Sequence, residues 1–332
     1  MTRLSNTALR RLVDVAAMPD LPGDRYTLQA SLGEGGMGAV YAAYDEALDR
    51  EVAIKVIRAD ADDTLAERLR TEARILARLE HPGIVPVHDV GRLPDGRLYY
   101  VMKRVRGETL TRHLERTPDL DRRLGIFERI CEAVAFAHEH GVMHRDLKPD
   151  NVMVGAFGEV LLVDWGVAKL LSGVDSAMSS PYAIGAAGGR TLSGTVLGTP
   201  GFMAPEQARG EPVDVRADVH ALGAILFQML VGRPPPLDGT TLADLQRRRA
   251  LPKRLRAVCA RAMARTADTR YANAAELADE IMRIRARRPV RAYRETPLDR
   301  LERTLTTYRT PILLVLSYLV MRILFAWFGT AR

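Results

Sequence analysis

Residues 144–151 read His-Arg-Asp-Leu-Lys-Pro-Asp-Asn, and this octapeptide decides how the rest of the chain is interpreted. It places an acid, Asp146, a cation, Lys148, and an amide, Asn151, at fixed offsets on a short loop. Eighteen residues after Asp146 a hydrophobic run ends in Asp-Trp-Gly, so Asp164 stands where a buried strand meets a loop. Two acids and an amide are oxygen donors that can hold Mg²⁺.

These residue types are the ones that phosphoryl transfer requires. In that reaction the protein mainly positions reactants and neutralises charge, so it needs metal ligands, a cation for the moving phosphate and a carboxylate for the attacking hydroxyl. Asp164 and Asn151 would supply the metal ligands, Lys148 the cation and Asp146 the carboxylate. An isolated Asp and Asn would more simply mark a polar loop, but the complete octapeptide followed by the strand acid favours an enzyme.

A glycine-rich stretch and a charged strand lie upstream. Residues 33–40 read Gly-Glu-Gly-Gly-Met-Gly-Ala-Val and follow a stretch that alternates like a strand. The same glycine spacing opens dinucleotide-binding folds, but there a helix follows, whereas here residues 52–57 form a second strand-like run. That run carries Lys55 among apolar residues, and Glu72 interrupts a leucine stripe of helical period. Because an isolated charge is costly in apolar surroundings, we expect Lys55 and Glu72 to form an ion pair. The alternative is a solvated helix and a lysine whose ammonium group reaches water.

Together these motifs make residues 26–285 resemble a bacterial serine/threonine protein kinase of the eukaryotic-like (Hanks) type. The resemblance implies an α+β, two-lobed protein-kinase fold with a small antiparallel-β lobe that carries one main helix, a larger, mostly helical lobe, and a C-terminal apolar helix. The predicted domains are a helical leader at 1–24, a catalytic domain at 25–286 whose lobes divide near 102–103, a basic juxtamembrane linker at 287–311 and an apolar helix at 312–328.

The resemblance also assigns roles to single residues, with ATP and Mg²⁺ as cofactors. It implies that Asn151 and Asp164 are the metal ligands. The expected catalytic residues are Asp146, Lys148, Asn151, Lys55 and Glu72. The expected nucleotide-binding residues are Leu32, Gly33, Glu34, Gly35, Gly36, Met37, Gly38, Val40, Ala53, Lys55, Met102, Lys103, Val105 and Met153.

The stretch between Asp164 and Glu206 is rich in Gly, Ala and Ser, which bury little surface. By resemblance it is the activation segment, and Arg145 beside the base could pair with a phosphate there. Thr199 is expected to be a structural hydroxyl near Asp146. The expected phosphorylation sites are Thr191 and Ser193, with Thr195 next, and the alternative is an unmodified loop that happens to contain Ser and Thr.

Other matches concern the scaffold, and two positions depart from the family pattern. Asp218 opens a segment similar to the helix that anchors the large lobe, and Arg270 stands where the family places the partner of Glu206. Trp165 replaces the usual phenylalanine after the metal-binding acid, and the cations Lys103 and Arg104 occupy the hinge between the lobes. These departures bear on the adenine pocket and on the mobility of the Asp164 segment, and they remove no catalytic group.

The net charge of +7 is concentrated near the C-terminal end, in an arginine-rich stretch at 283–309, which argues against nucleic acid as a partner. The next seventeen residues, 312–328, are nearly all apolar and as a helix would extend about 25 Å against a hydrocarbon core of about 30 Å. We therefore predict a transmembrane or membrane-associated helix that anchors a cytoplasmic catalytic domain beside anionic lipid. Arg322 opposes insertion, and an interfacial helix or one packed on another chain is the alternative.

The sequence thus predicts a kinase that transfers the ATP γ-phosphate to Ser or Thr hydroxyls of proteins and phosphorylates its own activation segment. Such autophosphorylation is compatible with a homodimer. Lys148 and Thr199 favour Ser/Thr over Tyr. A membrane-tethered pseudokinase or scaffold is the alternative, which the complete catalytic set argues against. A small-molecule kinase is disfavoured by the Ala-Pro-Glu segment at 204–206. Cys131 and Cys259 are expected in the core of a protein from a reducing compartment.

Overall fold

The computed structural model describes residues 18–35, 38–57, 73, 75–165, 201–236, 241–248, 250–301 and 309–329. The strands in this part of the chain are β1 (Tyr26–Gly35), β2 (Gly38–Asp45), β3 (Arg50–Ile57), β4 (Val87–Arg92), β5 (Leu98–Lys103), β6 (Gly107–Thr109), β7 (Val152–Gly155) and β8 (Val160–Leu162). The helices are α1 (Leu110–Arg116), α2 (Leu120–Glu139), α3 (Pro205–Ala208), α4 (Val215–Val231), α5 (Thr241–Arg247), α6 (Lys253–Ala262), α7 (Ala274–Arg285) and α8 (Arg309–Gly329).

The first lobe is a five-stranded antiparallel sheet in the order β1-β2-β3-β5-β4. Successive side chains of β3 and β5 point to opposite faces, and both faces are covered. Ile54 and Tyr99 pack in the cluster on one face, whereas Ala53, Tyr100 and Met102 pack in the cluster on the other. This double coverage explains why these strands read as continuous apolar runs instead of alternating with polar residues.

The second lobe is built around α4, which is buried along almost its whole length. The helix begins at the N-cap Asp214, whose side chain accepts a hydrogen bond from the Arg216 amide at 2.9 Å. It ends at Gly232, whose φ of 83° is the left-handed conformation typical of a glycine after a helix. Helices α2, α6 and α7 pack around it, and a small sheet in the order β6-β7-β8 packs through β8 against α2.

The two lobes confirm the predicted combination of an antiparallel β lobe and a helical lobe. They are joined by the β5–β6 connection and by backbone hydrogen bonds from Val85 to the Leu162 carbonyl (3.1 Å) and from Leu162 to the Gly83 carbonyl (2.8 Å). Residues 1–17 of the predicted helical leader lie outside the described part of the chain. Residues 58–72, which include most of the predicted main helix of the small lobe, also lie outside it. Cys131 and Cys259 are buried and unpaired, as expected of core residues.

The apolar tail forms the helix α8, in which residues 313–324 are exposed. Within the described residues, no helix has the combination of length and apolar character needed to cross a membrane. The prediction of a transmembrane helix at 312–328 is therefore not supported.

Candidate active site

The octapeptide forms a loop in which Asp146 is held from two sides. The Lys148 ammonium lies 3.0 Å from Asp146 Oδ2. Asn151 Nδ2 donates hydrogen bonds to the same oxygen at 3.0 Å and to the Asp146 carbonyl at 2.8 Å. Because the amide nitrogen of Asn151 is directed to Asp146, its amide oxygen is the atom suited to a metal. The structure thus brings the acid, the cation and the amide together as the octapeptide spacing suggested.

Asp218 at the start of α4 fixes the backbone that carries Asp146. Its buried carboxylate accepts hydrogen bonds from the amides of His144 at 2.7 Å and Arg145 at 2.8 Å, and its Oδ2 lies 2.9 Å from His138 Nε2. Burial by itself would raise the pKa of Asp218, but the hydrogen bonds and charges of His138 and His144 together outweigh burial and lower it. Arg145 has a φ of 64°, a conformation that costs energy for a residue with a side chain, so these hydrogen bonds hold a strained backbone.

Asp164 follows β8 and contacts the first lobe. Its Oδ1 lies 2.8 Å from the Lys55 ammonium. Burial, together with the charge of Asp164, raises the pKa of Tyr100 well above its ordinary value, so the hydroxyl stays a donor. The backbone amide of Val163 donates to the Asn151 carbonyl at 2.9 Å. This bond sets Asp164 next to the loop of Asp146, so the two predicted metal ligands belong to one site.

Trp165, one of the departures from the family pattern, is buried beside the catalytic loop. Its ring lies against the ring of His144, with centroids 4.7 Å apart, and only 6% of the residue is exposed. His144 in turn lies with Nε2 3.1 Å from the Val163 carbonyl. Trp165 therefore adds packing that holds the Asp164 segment against the loop of Asp146.

The donor set fits a magnesium ion bound together with phosphates. Asn151 and Asp164 offer two hard oxygen ligands from the protein. In the described part of the chain there is no cluster of three or more His, Cys, Asp or Glu residues that could hold a metal by itself. Mg²⁺ keeps several waters and is commonly bound through one or two carboxylates plus substrate phosphates, so a sparse oxygen site of this kind suits it better than zinc or calcium.

The predicted adenine pocket lies between the lobes and is apolar. Ala53 and Met102 are buried in one cluster, and Val40 and Val105 pack against it. Lys103 is exposed at the end of β5, and Met153 is half-buried in β7.

The glycine-rich stretch forms the β1–β2 hairpin, in which Gly35 pairs with Gly38. Gly38 has a φ of 149°, and a Cβ there would lie 2.0 Å from the Val56 carbonyl oxygen, so only glycine fits. Leu32, Gly33 and Glu34 lie at the end of β1, and Leu32 is half exposed.

The cationic hinge has a partner that sequence reasoning missed. Arg104 Nη1 lies 3.2 Å from Glu51 Oε1, and Arg106 Nη2 lies 2.6 Å from Glu51 Oε2. The hydrogen bond from Arg106 and the charges of both arginines lower the pKa of Glu51, against the weaker effect of desolvation. Glu51 is the second residue of β3, so these contacts tie the hinge to the strand that carries Lys55. The sequence signals for this contact were an acid four residues before Lys55 and the arginines at 104 and 106.

Glu206 and Arg270 form the buried ion pair that the scaffold match predicted. Arg270 Nη1 and Nη2 lie 2.6 Å and 2.7 Å from the two Glu206 oxygens, a bidentate geometry. The Arg270 side chain is 0% exposed, and its remaining donors reach the carbonyls of Ala264, Arg265 and Arg216. The pair ties the start of α3 to the segment before α7.

Some predicted residues lie outside the described part of the chain. They are Glu72, Gly36, Met37, Thr191, Ser193, Thr195 and Thr199. The roles proposed for them therefore rest on the sequence alone.

Comparison with known proteins identifies relatives of this chain. The family model described as "Protein kinase domain" matches residues 26–289. Serine/threonine-protein kinase PknB of Mycolicibacterium smegmatis is 37% identical over 286 residues, which are 80% of this chain and 44% of PknB. Serine/threonine-protein kinase PknD of Protochlamydia amoebophila is 37% identical over 66% of this chain and 24% of PknD. The chain therefore spans less than half the length of these relatives.

A solved structure is similar over nearly its full length. The kinase domain of Mycobacterium tuberculosis PknI superposes with a TM-score of 0.60 at 29% sequence identity. The match covers 79% of this chain and 96% of the PknI domain.

Proposed function

Since the chain belongs to the protein kinase domain family, we propose that it transfers the γ-phosphate of ATP to Ser and Thr hydroxyls of other proteins. The printed names of the relatives, serine/threonine-protein kinases, support this acceptor class.

The proposal rests mainly on the contacts that Asp146 makes with its neighbours. Its carboxylate lies within 3.0 Å of both Lys148 Nζ and Asn151 Nδ2. The Asn151 carbonyl accepts a hydrogen bond from the backbone amide of Val163, the residue before Asp164. One rigid unit thus holds a base, a cation and two oxygen ligands, as phosphoryl transfer requires.

In the proposed reaction, Asp146 orients the acceptor hydroxyl and takes its proton. The hydroxyl oxygen forms a bond to the γ-phosphorus while the bond from that phosphorus to the bridging oxygen breaks, and ADP leaves. Lys148 lies where it can stabilise negative charge on the transferred group, and Lys55 can bind the other phosphates. Mg²⁺ held by Asn151 and Asp164 would neutralise charge on the phosphate oxygens.

The pseudokinase alternative would require a missing or misplaced group. In the described residues, Lys55, Asp146, Lys148, Asn151 and Asp164 are all present and are connected by the contacts given above. A nucleotide-binding scaffold needs no base at the position of Asp146. Only the proposed enzyme accounts for the contacts that hold Asp146 beside Lys148 and Asn151.

Replacing Lys55 by Met should lower kcat/KM for phosphotransfer roughly 10–10²-fold, because hydrogen bonds to charged groups contribute about 1.5–3 kcal/mol. The variant also leaves Asp164 without its ammonium partner. The measurement is a peptide phosphorylation assay with ATP and Mg²⁺. Lys253→Met is the matched control, since Lys253 pairs with Asp299 on the surface of the large lobe and should leave kcat/KM unchanged. Wild-type activity in Lys55→Met would remove this residue from the proposed mechanism.

We also propose that the protein activates itself by phosphorylation within residues 191–195. The support is the Ser/Thr content of that stretch and the position of Arg145 beside the base. The triple variant Thr191→Ala, Ser193→Ala, Thr195→Ala should lose the activity gain that wild type shows during incubation with ATP after phosphatase treatment. A triple variant that gains activity as wild type does would mean that these hydroxyls are not the activating sites.

The proposal places the catalytic domain in the cytoplasm, in keeping with its unpaired buried cysteines. Attraction of the arginine-rich stretch to an anionic membrane surface, and a homodimer for autophosphorylation, stay predictions from the sequence.

A further inference from the structure

The strand pairing of the two sheets leaves a short gap at the hinge between the lobes. The pairing of β3 with β5 ends where Val52 lies opposite Lys103, and the next strand, β6, begins at Gly107. Residues 104–106 lie between these points and belong to no helix or strand. Because no strand pairing holds their backbone, these three residues depend on side-chain contacts for a fixed position.

Glu51 of β3 supplies such contacts to both ends of the gap. Its Oε1 lies 3.2 Å from Arg104 Nη1, and its Oε2 accepts hydrogen bonds from Arg106 Nε at 3.1 Å and Nη2 at 2.6 Å. One carboxylate therefore binds the residue on each side of Val105. The side chains of Glu51 and Arg104 are 31% and 27% exposed, whereas that of Arg106 is 77% exposed, so solvent screens the contact with Arg104 less.

Glu51 shares one row of β3 side chains with residues of the predicted nucleotide site. Side chains two residues apart in a strand point to the same face, so Glu51, Ala53 and Lys55 form this row. Lys55 at one end contacts Asp164, and Glu51 at the other end contacts the hinge. Ala53 in the middle belongs to the apolar cluster against which Val105 packs. The position of Val105 relative to Ala53 therefore sets the shape of the predicted adenine pocket.

We propose that Glu51 is a positioning residue for nucleotide binding, which holds Arg104 and Arg106 and so keeps Val105 in place at the adenine pocket. This inference rests on the proposed kinase function. A pocket that is already held in its binding conformation loses less conformational freedom when the nucleotide enters. Loss of the Glu51 contacts should therefore raise the KM for ATP and leave kcat unchanged, because the chemistry at Asp146 is not affected.

The direction of the effect separates this role from long-range electrostatics. ATP is an anion, so removal of a nearby carboxylate would by itself strengthen nucleotide binding. Loss of the hinge contacts would weaken it instead, because the backbone around Val105 would no longer be held. Glu51→Met keeps roughly the length of the side chain and removes its charge and both acceptor oxygens. Weaker binding in this variant is therefore expected only if Glu51 positions the hinge.

The decisive experiment titrates a non-hydrolysable ATP analogue, with Mg²⁺, into the full chain by calorimetry, for wild type and Glu51→Met. The variant should bind the analogue about twofold to fivefold more weakly, the size expected from partly exposed ion pairs. The KM for ATP should rise by the same factor, with kcat and the KM for a peptide substrate unchanged. Equal or tighter binding of the analogue by Glu51→Met would overturn the inference.

A double-mutant cycle tests whether Glu51 acts through the hinge arginines. Arg106→Met should weaken binding of the analogue in the wild-type background, and it should weaken binding less in the Glu51→Met background, where the contact is already lost. Any direct attraction between Arg106 and the nucleotide would contribute equally in both backgrounds. Equal effects of Arg106→Met in the two backgrounds would mean that the side chains act independently, which contradicts the inference.

Glu46 provides the matched control in the same lobe. It follows β2 and accepts a hydrogen bond from Thr27 Oγ1 at 2.8 Å, so it contacts β1 and not the hinge. Glu46→Met makes the same chemical change and should bind the analogue no more weakly than wild type. Thermal unfolding of both variants identifies a merely structural role for Glu51, which would lower the melting temperature and kcat together and leave the KM for ATP unchanged.

The titration needs no turnover, so the two proposals can fail separately. A wild type that binds the analogue but transfers no phosphate would contradict the proposed function, and the titration would still decide the role of Glu51. An active wild type whose Glu51→Met variant binds the analogue normally would contradict only the inference about Glu51. A wild type that binds no nucleotide would overturn both.

Discussion

Replacing Asp146 by Asn is expected to lower kcat for phosphotransfer about 10²–10⁴-fold while ATP binding survives. Asparagine keeps the shape of the side chain, so the positions of Lys148 and Asn151 should change little. It removes the basic oxygen that takes the proton of the acceptor hydroxyl. The measurement combines turnover of a Ser/Thr peptide with a separate nucleotide-binding titration.

Asp150 provides the control for this substitution. It lies in the same octapeptide, but it is exposed and accepts a hydrogen bond from Thr111 Oγ1 at 2.8 Å, away from Asp146. Asp150→Asn makes the same chemical change and should leave kcat close to wild type. Equal losses in the two variants would mean that the loop needs its charge and not a base at Asp146.

The second large effect is expected on stability, from Arg270→Met. Removing one partner of a buried ion pair costs roughly 3–5 kcal/mol, because the other charge stays buried without compensation. Here Glu206 would lose both of its guanidinium contacts, and three backbone carbonyls would lose a donor. We expect a loss of this size in the free energy of unfolding measured by urea denaturation.

The exposed pair of Arg209 and Glu211 is the matched control. Arg209 Nε lies 2.6 Å from Glu211 Oε1, a geometry as close as that of the buried pair, but both side chains are about half exposed. Solvent screens such pairs, so Arg209→Met should change the midpoint of unfolding little. In the double variant Glu206→Leu, Arg270→Met, part of the lost stability should return, because neither charge is left buried. Similar midpoints for Arg270→Met and Arg209→Met would contradict this account.

The predicted site residues that the structure brings together most directly are those whose types chemistry fixes at short spacing. Asp146, Lys148 and Asn151 lie within six residues, so their contacts follow from one loop. The pairing of Glu206 with Arg270 spans 64 residues and was predicted only because the chain resembles a family.

The contacts that were missed depend on strand register or on folding over long distances. Tyr100 lies directly opposite Lys55 because β3 and β5 pair in this register, and the sequence does not specify that register locally. The hydrogen bonds from the His144 and Arg145 amides to Asp218 join residues more than seventy positions apart. The predicted membrane span at 312–328 has no support in the described residues, where no helix is long and apolar enough to cross a membrane.

The most direct test of the proposed function is mass spectrometry of the purified protein after incubation with ATP and Mg²⁺, compared with Asp146→Asn treated in the same way. We predict that wild type gains the mass of one or more phosphoryl groups, that fragmentation places them on Ser or Thr and not on Tyr, and that the gain disappears without Mg²⁺ and in Asp146→Asn. A wild type that binds nucleotide yet acquires no phosphate, and transfers none to an added Ser/Thr peptide, would contradict the assignment as a kinase and favour the pseudokinase alternative.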